Sequence, residues 1–163
     1  MSSLDAYFMK EVANTPRGRG ILACIQCGRC TSSCPVSRIT EEHNPRKLLE
    51  MIILGLRSEV LSESLPWSCL SCFNCLDRCP QGGDVGEVIF AIRNLAVKEN
   101  NIPEGILVQA KNLFESGYVV PSSKSAFLRR QKLGLDNLPA FDSEAVQKIL
   151  RKTAFAKLIG QDS

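Results

Sequence analysis

The sequence has no long hydrophobic run. Its longest unbroken stretches, Ile21–Ile25 and Val88–Ile92, have five residues, and Met51–Leu54 continues past Gly55 only as Leu56, far short of the roughly 18 apolar residues needed to cross a bilayer, so the chain spans no membrane by itself. The opening residues MSSLDAYFMKEVANTP carry Asp5, Lys10 and Glu11 and lack a continuous apolar stretch. That excludes a secretory signal and makes the cytoplasm the expected compartment. An excess of one charge is also missing. The formal net charge is +3, too slight for the phosphate-neutralising face of a dedicated nucleic-acid binder. Strand-like alternation is scarce, with YVV at 118–120 the sole candidate, so the predicted fold is all-α. Histidine occurs once, as His43 in EEHNP, and reads as a surface or capping residue. The single tryptophan, Trp67, stands where it would either shield a buried group from water or pack in the core. What remains is an ordinary globular composition, 44% hydrophobic and 23% charged over 163 residues, enough for about one domain.

Cysteine is what the chain has in quantity. Eight residues, Cys24, Cys27, Cys30, Cys34 and Cys69, Cys72, Cys75, Cys79, fall into two groups with the same spacing, CIQCGRCTSSCP and CLSCFNCLDRCP. Both are C-x2-C-x2-C-x3-C-P, the run that ligates 4Fe-4S clusters in bacterial two-cluster ferredoxins. Three thiolates within seven residues wrap three corners of a cubane, and the fourth must come from elsewhere. In the ferredoxin arrangement the last cysteine of each run ligates the other cluster. The expected sets are therefore Cys24, Cys27, Cys30 and Cys79 for the first cluster, and Cys69, Cys72, Cys75 and Cys34 for the second. Pro35 and Pro80 fix φ just after the crossing ligands.

Other uses of the cysteines fit worse. A disulfide framework belongs to small secreted chains, structural zinc takes paired C-x2-C units and leaves the third cysteine of each group surplus, and buried thiols without a role do not fall twice into one register. With eight ligands required and eight cysteines present, no thiol is left for nucleophilic or dithiol catalysis. Each oxidised cluster with its four thiolates carries about −2, so two of them take the chain from +3 to about −1. Arg29, Arg38 and Arg78 stand where they would raise reduction potentials or dock an acidic partner, or are simply solvated charges. Gly28 serves either a close approach of backbone to sulfur or a turn.

Helices are expected around the motifs. A short one covers about Leu4 to Val12. Asn44 and Pro45 cap and open a helix through Leu48, Leu49, Met51, Ile52, Ile53, Leu54 and Leu56, apolar nearly all round and so buried on most sides, forming the core between the clusters. Asp84 caps another with Glu87 at its third position, and Val85, Val88, Ile89, Ile92, Leu95 and Ala96 line one face. Pro103 opens a helix carrying Ile106, Ala110, Leu113 and Phe114, stopped by Gly117. Residues 121–141, PSSKSAFLRRQKLGLDNLPAF, show no sustained period and read as an irregular arm. Val146, Ile149, Leu150, Ala154 and Leu158 suggest a terminal helix, although Phe155 points across that stripe. The expected divisions are an N-terminal helix and linker (1–20), a two-cluster helical ferredoxin-like domain (21–117) and a partner-docking arm with a C-terminal helix (118–163). One motif is a decoy. GRGILA at 18–23 matches the dinucleotide fingerprint G-x-G-x-x-A, but Pro16 and a helical pattern precede it where a strand is required, and Cys24 follows at once.

The two cysteine motifs, the GDVGEVIFAIRNLA helix after them and the segment GYVVPSSKSAFLRRQKLGLDNLP together resemble the C-subunit family of heterodisulfide reductase over roughly residues 20–140. The motifs alone are shared with the iron-sulfur subunits of succinate, glycerol-phosphate and glycolate dehydrogenases; the short length and the arm narrow the choice. The resemblance implies an all-helical, non-catalytic electron-transfer protein holding two 4Fe-4S clusters on all eight cysteines. Its implied partners form a hetero-oligomer: an A-subunit with flavin and iron-sulfur groups, and a cysteine-rich B-subunit of the CCG type that reduces the disulfide of coenzyme M and coenzyme B in methanogens. Related complexes act on other sulfur substrates. The alternatives are an iron-sulfur subunit of a related sulfur- or dehydrogenase-type complex and a free-standing two-cluster ferredoxin.

Overall fold

Helix is the only regular structure among the described residues, which are 4–62, 64–136, 138 and 142–160 of the computed structural model. Positions 1–3 of the expected N-terminal segment, positions 137 and 139–141 of the expected arm, and 161–163 lie outside them. The all-α expectation holds. YVV at 118–120 forms no strand, because a lone apolar triplet has no second strand to pair with. No helix of the described residues is long and apolar enough to cross a membrane. The chain divides into two units, Met1–Ile102 and Pro103–Ser163.

In the first unit, α1 (Phe8–Ala13) buries Phe8 and Val12. It starts later than Leu4 because Asp5 holds a turn: its carboxylate accepts from the Tyr7 amide at 2.9 Å and its own amide donates to Gly55 O at 2.9 Å. A 3-10 helix (Arg19–Ala23) leads into the first cysteine motif, which contains α2 (Arg29–Ser32) and runs into a 3-10 turn at Val36–Arg38. Then α3 (Pro45–Ile53) begins as expected, with Asn44 Oδ1 accepting from the Lys47 amide at 3.0 Å and Pro45 at the first position. Its burial is one-sided, however. Pro45, Leu48, Leu49 and Ile52 are buried while Ile53 and Leu54 are exposed, since a helix of nine residues presents one face to the core and its apolar far side stays in solvent.

Next come α4 (Arg57–Val60), α5 (Asn74–Asp77) inside the second motif, and α6 (Val85–Lys98). The expected apolar face of α6 is buried in full. The expected Asp84–Glu87 capping box is absent. Asp84 sits at φ 42°, ψ 48° with no side-chain cap, whereas a capping side chain needs an extended backbone; Glu87 instead pairs with Arg17 at 3.2 Å. One core gathers Phe8, Val12, Ile21, Leu48, Leu49, Ile52, Val60, Leu61 and the α6 face, each large aliphatic contributing about 1.5–3 kcal/mol by leaving water. Arg57 ties the outside together, pairing with Glu11, with Glu99 at 2.5 Å and with Asp5 at 3.4 Å, over the Phe8 ring.

In the second unit, α7 (Glu104–Ser116) follows Pro103 and ends as expected at Gly117, whose φ of 73° lets its amide reach Leu113 O at 2.9 Å. The irregular arm is corrected in part. Residues 124–132 form α8 (Lys124–Lys132), capped by Ser123 Oγ at the Ala126 amide. This helix buries none of its residues, so it carries no apolar stripe from which a period can be read. The single terminal helix is really two, α9 (Ser143–Arg151) and α10 (Ala154–Leu158), broken where Thr153 Oγ1 accepts from the Phe155 amide. The break redirects Phe155, which packs with Leu150 against Ala110, Phe114 and Ile159.

Candidate metal centres

The repeat in the sequence is a repeat in the backbone. The second residue after the first cysteine of each motif is left-handed, Gln26 at φ 56° and Ser71 at φ 57°, and so is the fourth, Gly28 at φ 79° and Phe73 at φ 59°. Each pair of reversals is followed by a one-turn helix, α2 or α5, that carries the third cysteine, Cys30 or Cys75, into the core. Gly28, in the lining of the first cavity, has the left-handed backbone of a turn that glycine adopts freely, and a Cβ on it would meet only Arg46 Cδ at 3.6 Å among protein atoms. At Phe73 the same turn is held by a side chain. Its ring stacks on Phe90 with centroids 5.8 Å apart and covers Gly86, whose Cβ would stand 2.8 Å from Phe73 Cδ1.

Two small cavities lie beside these turns. The first is lined by Cys24, Cys27, Cys30 and Cys79, together with Gln26, Arg46 and Leu49. The second is lined by Cys34, Cys69, Cys72 and Cys75, together with His43, Phe73 and Phe90. Helix α3 serves both, giving Arg46 and Leu49 to one and Pro45 to the other. In each motif the second cysteine, Cys27 or Cys72, is exposed and the third is buried. Among the described residues no three His, Cys, Asp or Glu side chains gather as ligands of a single ion. A cubane takes its four thiolates on four separate irons, so its ligands stand apart around a space.

Hydrogen bonds already aim at the sulfurs. The Gly83 amide donates to Cys79 Sγ at 3.2 Å, the Ser71 amide to Cys69 Sγ at 3.4 Å, and Gln26 Nε2 to Cys24 Sγ at 3.3 Å. Burial pushes the Cys30 and Cys69 thiols up, and pushes Cys75 up to about 11, where neighbouring Cys69 and Cys30 add to it. Thiols raised in this way, as Cys30, Cys69 and Cys75 are, suit a group that displaces their protons by binding thiolate.

Arg29, Arg38 and Arg78 are exposed, where either a solvated charge or a docking residue would stand. Arg46 lines the first cavity, and Arg93 holds the loop beside the second: from α6 it donates to the carbonyls of Pro66 (3.0 Å) and Cys69 (2.5 Å) and to Ser71 Oγ (3.1 Å), with its guanidinium over the rings of Trp67 and Phe90. Its signal was a lone cation seven residues from Gly86 and three from Phe90 on the flank of an apolar helix. Trp67 packs half-buried against the core, donating Nε1–H to Asn101 O at 3.2 Å, and lines neither cavity. His43 is a correction: it is 1% exposed, not a surface residue, and Asn44 does the capping.

An all-helical frame with a twice-repeated four-cysteine motif beside two matched cavities is that of an iron-sulfur protein carrying two 4Fe-4S clusters, and the 4Fe-4S dicluster domain family matches residues 20–83. The chain belongs to the C-subunit family of heterodisulfide reductase. It is 34% identical over 148 residues to the iron-sulfur C-subunit of the CoB–CoM heterodisulfide reductase of Methanopyrus kandleri, covering 87% of this chain and 77% of that one. It is 36% identical over 145 residues to a protein of Archaeoglobus profundus that is like the heterodisulfide reductase C-subunit (85% and 76% covered). It is 37% identical over 132 residues to the C-subunit of the ferredoxin/F420H2-dependent CoB–CoM heterodisulfide reductase of Methanosarcina acetivorans (80% and 78% covered).

Proposed function

We propose that this chain is the electron-relaying component of a cytoplasmic heterodisulfide reductase complex, passing single electrons between a flavin-containing A-subunit and a disulfide-reducing B-subunit. Its ligand sets are Cys24, Cys27, Cys30 and Cys79 for one cluster and Cys69, Cys72, Cys75 and Cys34 for the other. The observation that carries this reading is the lining of the two cavities, each with three cysteines from one motif and the last cysteine of the other. When bound, each cluster takes up and gives back one electron with little rearrangement. The chain's part is to hold the sulfurs, donate N–H groups to them and exclude water. Exposed Cys27 and Cys72 bring each site to the surface where a partner's redox group would stand, and buried Cys30 and Cys75 turn inward between the two sites. The segment from Tyr118 docks a partner. In support, α8 leaves Phe127 and Leu128 exposed among Lys124, Arg129, Arg130 and Lys132.

Two measurements test this. Cys79→Ser is expected to disturb the EPR signal of the cluster held by the first motif; disturbance of the second-motif cluster alone overturns the ligand sets. Anaerobic affinity isolation from the native source is expected to bring down a flavoprotein and a cysteine-rich protein of the CCG type. A stable monomer, with its C-terminal segment protected from protease, favours a free-standing ferredoxin.

A further inference from the structure

His43 has no role in the ligand sets, yet it is the most deeply buried polar residue of the first unit. It is 1% exposed, and both ring nitrogens are buried without a hydrogen-bond partner. The ring lines the second cavity beside Cys34, Cys69 and Cys75. Its place is held from both sides, because Ser37 Oγ donates to the His43 carbonyl at 2.6 Å and Asn44 caps α3.

An imidazole keeps at least one ring N–H in either protonation state, and leaving that donor buried and unpaired costs about 1–3 kcal/mol. The Leu65 main chain lies alongside the ring without reaching hydrogen-bonding geometry. The cavity offers few acceptors. Pro35, Val36, Ile89 and Phe90 have none to offer in their side chains, and Ser71 Oγ already accepts from Arg93 at 3.1 Å. Beside the Leu65 main chain, which does not reach hydrogen-bonding geometry, the sulfurs of Cys34, Cys69 and Cys75 are the acceptors that the lining brings to the ring.

We propose that His43 donates its ring N–H to sulfur of the cluster in the second cavity, either a sulfide of the core or a ligating thiolate, and thereby raises that cluster's reduction potential. The proposal rests on the ligand sets given above. The direction follows from charge: reduction adds an electron to the cluster, so a donor to its sulfur stabilises the reduced form more than the oxidised one.

The chain's one histidine makes the test clean. Untagged protein grown with ¹⁵N-histidine, partly reduced so that each cluster is paramagnetic in turn, is examined by pulsed EPR. One imidazole nitrogen coupled to one of the two clusters is expected; no coupling to either overturns the proposal. Redox titration of His43→Leu is then expected to show one midpoint lowered by about tenfold in its equilibrium constant, about 59 mV for a one-electron couple. The other midpoint stays put, and His43→Gln recovers part of the shift. Two unmoved midpoints in a variant with full iron content overturn the proposal while leaving the ligand sets standing. Wild-type protein with only one cluster's worth of iron sinks the ligand sets instead.

Discussion

Gly20 and Gly83 touch backbone to backbone: a Cβ on Gly20 would stand 2.0 Å from the Gly83 carbonyl oxygen, and one on Gly83 would stand 3.2 Å from Gly20 O and 3.2 Å from Cys79 Sγ. The approach presses the 3-10 helix before the first motif onto the chain leaving the second, where the Gly83 amide meets Cys79 Sγ. The second glycine of the G-x-G-x-x-A match is thus a packing contact between the segments that flank the two motifs, while Gly18 packs on the Val12 carbonyl.

Gly20→Ala is therefore expected to separate these segments. Backbone cannot yield as a side chain does, so the cost is about 1–3 kcal/mol. Cys79 is displaced from the first cavity, and iron is expected to fall by about half of the eight atoms that two cubanes hold. Iron analysis with EPR checks this; unchanged iron content contradicts it.

Arg93 acts on the second site through its loop. Arg93→Met removes the donors that Arg93 gives to Pro66, Cys69 and Ser71 and leaves those part-buried acceptors without this partner, at roughly 1–3 kcal/mol for a group stranded in this way. Arg93→Lys keeps the charge but not the planar fork, so it is expected to recover only part of the loss. The readout is thermal unfolding together with the EPR amplitude of the second-motif cluster, and equal behaviour of Lys and Arg at 93 counts against a clamp.

Asn44 links a helix start to a cysteine motif. Its Oδ1 accepts from the Lys47 amide at 3.0 Å and from Thr31 Oγ1 at 2.8 Å, and Thr31 Oγ1 accepts in turn from the Arg46 amide at 2.9 Å. Asn44→Ala is expected to cost about 0.5–2 kcal/mol, the range for losing an N-cap. With Thr31 next to Cys30, the variant's clusters are also expected to bleach faster in air than the wild type's, followed by visible absorbance.

Arg57 joins α4 to Asp5, Glu11 and Glu99 at a half-exposed position. Arg57→Met is expected to destabilise by about 1 kcal/mol, the upper end for such pairs, and the difference is expected to shrink at 1 M salt, where screening acts over about 3 Å. Urea unfolding at two ionic strengths checks it; a salt-independent loss assigns Arg57 to packing over Phe8 instead.

Much of the helical frame was readable because burial writes itself into spacing. The α6 face, the Asn44–Pro45 start of α3 and the Gly117 stop each rest on residues within a few positions of one another. Where the expectation failed, the reason was one that spacing does not carry. Helix α8 buries nothing and so has no period. Asp84 lost its capping role to a left-handed turn imposed by its neighbours. The break at Thr153 looked like one misdirected phenylalanine.

By itself the sequence determined the iron-sulfur class, since the cysteine spacing and the turns that serve it are local properties of a dozen residues, written twice. The tertiary structure alone decided what surrounds the sulfurs. His43 and Arg93 stand 26 and 24 residues from Cys69 along the chain, and only the packing of α3 and α6 about one core brings them to its side. Contacts between distant segments leave no periodic trace, because each depends on how whole helices meet and not on the residues next in line.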